Sequence, residues 1–178
     1  MMPTHGYGTF RRRLLGSITA KVLHDAACPV WTGAHLAQGP PVEWISPTTI
    51  LTAVDADAES EKALVWASVL ASELNAALLL VHVESRLESP GEGYYSREYH
   101  DQVLAAAKRK MDELQRAAGT HVEVIIGAGS IAHVVCKTAD DLKADLLIIG
   151  RGVNATSGRL GLNTYGIIRE SSCPVVSV

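Results

Sequence analysis

Four glycines, Gly150, Gly152, Gly158 and Gly161, punctuate the stretch that joins an apolar strand at residues 145–150 to a short helix at 162–172. A loop leaving the carboxyl end of a parallel strand meets the next helix at its N-terminus. There, unpaired backbone N–H groups and the positive end of the helix dipole favour phosphate. Glycine lets such a loop turn sharply and bring its backbone against a ligand.

The other strand ends carry Asp55 and Asp57, Val83 and Glu84, and residues 127–130. Carboxylates opposite a phosphate loop suit a Mg²⁺-nucleotide or a hydrogen bond to ribose or adenine. Capping of the following helix is an equally good reading of the two aspartates. Gly127-Ala-Gly129-Ser-Ile-Ala132 matches a dinucleotide fingerprint after a strand, but weakly, because Asp145 lies at the beginning of the next strand and an acid is wanted at its end. The sequence has no GxxxxGK[ST] loop and no GxSxG elbow, so Ser157 has no case as a nucleophile.

The seven histidines are scattered without ligand spacing, and Cys28, Cys136 and Cys173 form no CxxC, so no metal site is expected. His82 reads as a satisfied core residue inside an apolar strand, and Cys136 as packing beside Val134 and Val135. Tyr94, Tyr95 and Tyr99 flank a polar, glycine-bearing loop at 84–96 and are expected to pack partly against the sheet.

Hydrophobic periodicity supplies the frame. Apolar strands at 49–54, 77–83, 122–126, 146–149 and 174–178 alternate with amphipathic helices, the longest of them marked by Leu104, Ala107, Met111, Leu114 and Ala118 and ended by Gly119. This alternation specifies a doubly wound α/β fold, a five-stranded parallel sheet with helices on both faces, right-handed crossovers and a ligand site at the strand carboxyl ends. The net charge of −3 excludes a general nucleic-acid binder, and Arg11-Arg12-Arg13 reads as a solvated helix entrance. No apolar run has membrane-span length and the N-terminus is no signal peptide, so a cytoplasmic location is expected.

The loop and its helix have an echo near the N-terminus. Shifted by 145 residues, the segment 16–30 overlays 161–175, with Gly16, Thr19, Cys28, Pro29 and Val30 meeting identical residues. Val22-Leu23 then falls on Ile167-Ile168, and Asp25 on Glu170. One unit occurs twice, a domain length apart, with the first copy reduced to its tail. The expected division is a remnant of a first repeat at 1–34, a Gly- and Pro-rich linker at 35–47, and a complete domain at 48–178. The chain is expected to begin inside a domain.

Together, Ile50-Leu-Thr-Ala-Val-Asp55, Leu80-Val-His-Val83, Ala144-Asp-Leu-Leu-Ile-Ile-Gly150 and Cys173-Pro-Val-Val176 resemble a universal stress protein domain. The arm, with Gly6, Gly16-Ser17 and Cys28-Pro-Val-Trp31, resembles the C-terminal part of a second one. The resemblance implies that the sheet is Rossmann-like, with a nucleotide site for ATP or AMP built on Gly, two residues, Gly, nine residues, Gly-Ser/Thr. In the arm, Gly6, Gly16 and Ser17 fit this pattern as a half-site, with Pro3 in place of the first glycine. In the complete domain Gly150 fits, but Val153 replaces the second glycine, Gly161 comes two residues early and Leu162 replaces the hydroxyl residue. Asn163 and Thr164 are the substitutes at hand, while Asp55, Val83 and Gly129 would border adenine and ribose.

The resemblance also implies association through the last strand. Val30 and Trp31 are expected antiparallel beside Val175 and Val176, of this chain or of a second copy in a homodimer. Two functions follow. One is a stress-response module that binds ATP or AMP weakly with Mg²⁺ and acts through dimerisation; the other is a nucleotide-free module for protein partners, its phosphate loop degenerate. No positioned base or nucleophile is found, so an enzyme is not expected, and slow ATP hydrolysis is the most the sequence allows.

Overall fold

The computed structural model describes residues 17–33, 46–55, 57–85, 97–151 and 162–178. Within them the chain runs α1 (Ser17–Asp25), β1 (Val30–Thr32), β2 (Thr49–Ala53), α2 (Ala58–Leu74), β3 (Ala77–Glu84), α3 (Arg97–Ala118), β4 (Glu123–Ala128), α4 (Ile131–Asp141), β5 (Leu146–Ile149), α5 (Leu162–Glu170) and β6 (Val175–Ser177). The strands form one sheet in the order β1-β6-β5-β2-β3-β4. The five parallel strands are those expected, and the arm adds a sixth, β1, antiparallel at the edge.

β2 and β5 lie at the centre, and every residue of β5 is buried. Continuous apolar sequence is what a strand covered on both faces requires. On one face Leu51, Leu147 and Val175 pack with Leu23 of α1, Val135 and Cys136 of α4 and Ile167 and Ile168 of α5. On the other, Ile50, Ile148 and Val176 meet Ala67 and Ala71 of α2, while Leu80 meets Met111 and Leu114 of α3.

Element ends follow local chemistry. Asp57 caps α2 by accepting from the Ser60 N–H at 2.7 Å. Gly119 ends α3 with φ +65°, the left-handed step that glycine takes without penalty. α3 also buries Val103 and Gln115, and the Gln115 Oε1 accepts the Val122 N–H at 2.6 Å, steering the chain into β4. β4 continues two residues past the expected end at Ile126, because Gly127 and Ala128 go on pairing with Val83 and Glu84.

The edge pairing expected for the last strand is made within the chain. β1 lies antiparallel to β6 with Val30 opposite Ser177, Trp31 opposite Val176 and Thr32 opposite Val175, and the Thr32 hydroxyl donates to the Val175 carbonyl at 3.0 Å. Under the 145-residue shift, Trp31 and Val176 are the same position. A local two-fold axis therefore passes through that pair and exchanges β1 with β6. The buried positions of the helices correspond too: Thr19 with Thr164 and Leu23 with Ile168.

Candidate functional site

Leaving β2, the chain crosses to β3 and β4 on one side and then to β5 and β6 on the other, so the strand order reverses between β2 and β5. A crevice opens at the carboxyl ends of strands at such a reversal. Ala53 is paired with Ile149, which sets Asp55 and Gly150 on either side of it. Gly150 also lies close to α2: a Cβ there would be 3.5 Å from the Glu59 carbonyl oxygen.

Asp55 is exposed, and its N–H donates to the Ser60 hydroxyl at 2.8 Å. Partial desolvation raises its carboxyl above the usual carboxylate range, against the pull of His82, with Asp57 and Glu84 adding to the rise. His82 is buried beneath and donates Nδ1–H to the Val54 carbonyl at 3.0 Å, the satisfied core role expected of it. Asp57 is the helix cap of its two readings.

Val83, buried, pairs with Gly127 on β4. Gly127 serves packing: a Cβ there would lie 2.3 Å from Val134 Cγ1. Gly129 is buried with φ +128°, a conformation that side chains resist, and it turns the chain into α4. Ser130 at the α4 N-cap makes no side-chain cap bond, which leaves the first N–H groups of this helix to solvent or an anion.

Of the phosphate-loop candidates, Gly152 and Gly161 lie outside the described residues, as do Gly6 and Gly16 of the arm; Ser17 begins α1. Asn163 is exposed on the first turn of α5. Thr164 is buried, and its hydroxyl donates to the Arg151 carbonyl at 3.1 Å. Val30, Val175 and Val176 are buried at the edge pairing, while Trp31 keeps 39% of its surface exposed.

Arg151 is the residue that sequence reasoning missed. Its guanidinium donates to the carbonyls of Ala26 and Cys28, where α1 ends and turns into β1. Its own N–H reaches the Val178 carbonyl at 3.3 Å. One side chain thus fastens the arm to the start of the glycine-rich loop, with a cation at the negative end of α1. Side-chain contacts to main-chain carbonyls more than a hundred residues away leave no spacing signal. Among the described residues no group of His, Cys, Asp or Glu could hold a metal ion, and no helix is long and apolar enough to cross a membrane.

Comparison with known proteins decides the family. The model of the universal stress protein family matches residues 1–32 and 47–178. The chain belongs to that family. A universal stress protein encoded in the 3′ region of a QAH/OAS sulfhydrylase gene of Thermus aquaticus is 27% identical over 133 residues, covering 73% of this chain and 97% of that protein. The crystal structure of a universal stress protein candidate from Pseudomonas aeruginosa UCBPP-PA14 superposes with TM-score 0.71 at 18% identity, covering 99% of this chain. The chain spans 61% of the length of that protein. A universal stress protein crystallised in complex with cAMP superposes with TM-score 0.55 at 22% identity, over 74% of this chain and 96% of its own. The family's Rossmann-like layers are those seen here, with the universal stress protein motif at 144–150 forming the buried central strand β5 and its exit.

Proposed function

We propose that this universal stress protein chain is a stress-response binding module that takes ATP or AMP weakly at the carboxyl ends of its parallel strands and acts through self-association, without turnover. The observation that carries the reading is the placement of Asp55 and Gly150 on either side of the strand-order reversal. Gly129 and the uncapped start of α4 stand at the exit of β4, at the same carboxyl edge of the sheet and two strands from β2. Asp55 and Val83 would receive ribose and adenine, Gly129 and Gly150 would let the backbone close on the ligand, and Asn163 would face the phosphates with Gly152 and Gly161. Bound Mg²⁺ would offset phosphate charge. The fold relative held with cAMP, an adenine nucleotide, supports the ligand class.

The arm, residues 1–34, is proposed as the C-terminal part of a preceding repeat, with 35–47 as linker and 48–178 as the complete domain. The two-fold relation of β1 to β6 supports this division.

One observation favours the second reading, a nucleotide-free module for protein partners. The Thr164 hydroxyl is given to Arg151, and Arg151 is given to the arm, so the start of the loop is engaged in docking. Calorimetric titration with ATP and AMP plus Mg²⁺, beside Asp55→Ala and Gly150→Val, separates the two. Heat that both variants abolish supports the nucleotide site; no heat from the folded chain refutes it and leaves the partner-binding module.

A further inference from the structure

Arg151 follows Gly150 directly, yet its side chain leads away from the crevice. In the order β1-β6-β5-β2 the crevice opens between β5 and β2, whereas the guanidinium leaves β5 the other way, across β6, to the Ala26 and Cys28 carbonyls just before β1. Two strand spacings, about 10 Å, separate β5 from β1, so a side chain stretched over them reaches nothing beside β2.

This contact leaves the charge uncompensated. Both acceptors are neutral carbonyls, Nε is buried with no hydrogen-bond partner, and among the described residues no carboxylate pairs with Arg151. The dipole of the nine-residue α1 offers only about half a negative charge. A phosphate offers a whole one. Hydrogen bonds between ionised partners are about twice as strong as neutral ones, and the planar fork of arginine matches a phosphate edge.

The guanidinium can change partners while its backbone stays in place. The Arg151 N–H is held by the Val178 carbonyl at 3.3 Å, and the Arg151 carbonyl accepts the Thr164 hydroxyl at 3.1 Å. Turning the side chain back over Gly150 brings the fork to the crevice and strips the turn between α1 and β1 of both bonds. One guanidinium cannot serve the two at once.

We propose that Arg151 couples the crevice to the sheet edge with negative sign, nucleotide phosphate at the exit of β5 and docking of α1–β1 on β6 competing for one side chain. The inference rests on the nucleotide reading and adds its regulation. AMP loosens the β1–β6 pairing, and a loosened pairing tightens AMP by the same factor.

Thr32→Ala tests the reciprocal effect. It removes the hydroxyl bond to the Val175 carbonyl, at the end of the pairing remote from Arg151, and leaves every crevice residue intact. Calorimetry should show AMP binding Thr32→Ala at least about fivefold more tightly than the parent chain, with unchanged circular dichroism. In the parent, saturating AMP should quicken amide exchange at Val30–Thr32 by a like factor and leave β2 and β3 unaffected. In Arg151→Met, AMP should not alter that exchange. No heat with AMP from the folded parent overturns the nucleotide reading, and the coupling with it. AMP that binds the parent without quickening exchange at Val30–Thr32, or that binds Thr32→Ala no more tightly, overturns the coupling alone. Quickening that persists in Arg151→Met overturns the role of this side chain.

Discussion

Substituting Gly127 by Ala tests whether packing, and no ligand requirement, dictates the glycine at the end of β4. A Cβ built there lies 2.3 Å from Val134 Cγ1, where carbon atoms ordinarily rest about 3.5–4.0 Å apart. More than an ångström must be recovered. Val134 is β-branched and sits in the first turn of α4, where one χ1 rotamer dominates, so it cannot swing aside. Overpacking of this kind costs about 1–3 kcal/mol, against about 0.5–1 kcal/mol gained by replacing a strand glycine with alanine. The net loss should be about 1–2 kcal/mol in urea unfolding. Val134→Ala alone should cost about 1 kcal/mol for its half-buried methyls. In the double variant the alanine at 127 should cost nothing further, a coupling of about 1–2 kcal/mol. If Gly127→Ala leaves stability unchanged or raises it, or if Val134→Ala gives no relief, the close approach of α4 to β4 is wrong.

Asp145 accepts from the Thr48 N–H and hydroxyl, both at 2.8 Å, and from the Thr49 N–H at 3.0 Å. Desolvation raises this carboxyl, but the three hydrogen bonds outweigh it and leave it below its usual value. Its stabilisation is present above the unfolded carboxylate pKa of about 3.9 and is lost as pH falls through the lower folded value. Asp145→Asn should therefore flatten the acid limb of a stability-versus-pH curve while costing about 1 kcal/mol at neutral pH; an unchanged acid limb counts against it. Arg151→Met should cost about 2 kcal/mol and release amide exchange at Val30–Thr32 before the rest of the sheet, whereas uniform protection would show that the clamp is idle. Burial pushes the Cys136 thiol up to about 12 and raises Cys173, while Cys28 is exposed. Alkylation of the native chain at neutral pH, read by mass, should therefore stop at one modified cysteine, at position 28.

The fold was legible because its central strands need cover on both faces: residues 146–149 are apolar without a break, and 49–54 are apolar but for the β-branched Thr49 and Thr52. The helix cap at Asp57 and the core histidine at 82 could be read locally, since each depends on neighbours in its own segment. Boundaries were read less well where pairing with a distant strand decides them, as at Gly127 and Ala128. The resemblance named Asp55, Val83, Gly129 and Gly150, and the sheet sets all four at its carboxyl edge. Arg151 was invisible because carbonyl acceptors carry no residue identity. Thr164 was named for its hydroxyl, yet the chain also offered Arg151 as the acceptor that takes it.

The antiparallel seam at the sheet edge has a kinetic meaning. β1 is joined to β2 by residues 33–48, so β6 meets its own arm at an effective concentration in the millimolar range set by the tether. A second copy at micromolar concentration arrives as a dilute competitor and loses by orders of magnitude. The arm occupies the β6 edge, which would otherwise recruit a neighbour, and leaves the three-residue β1 as the outermost strand on that side. Cutting the tether, with no atom of the seam altered, would turn an internal contact into an affinity and hand the edge back to whichever chain is most abundant.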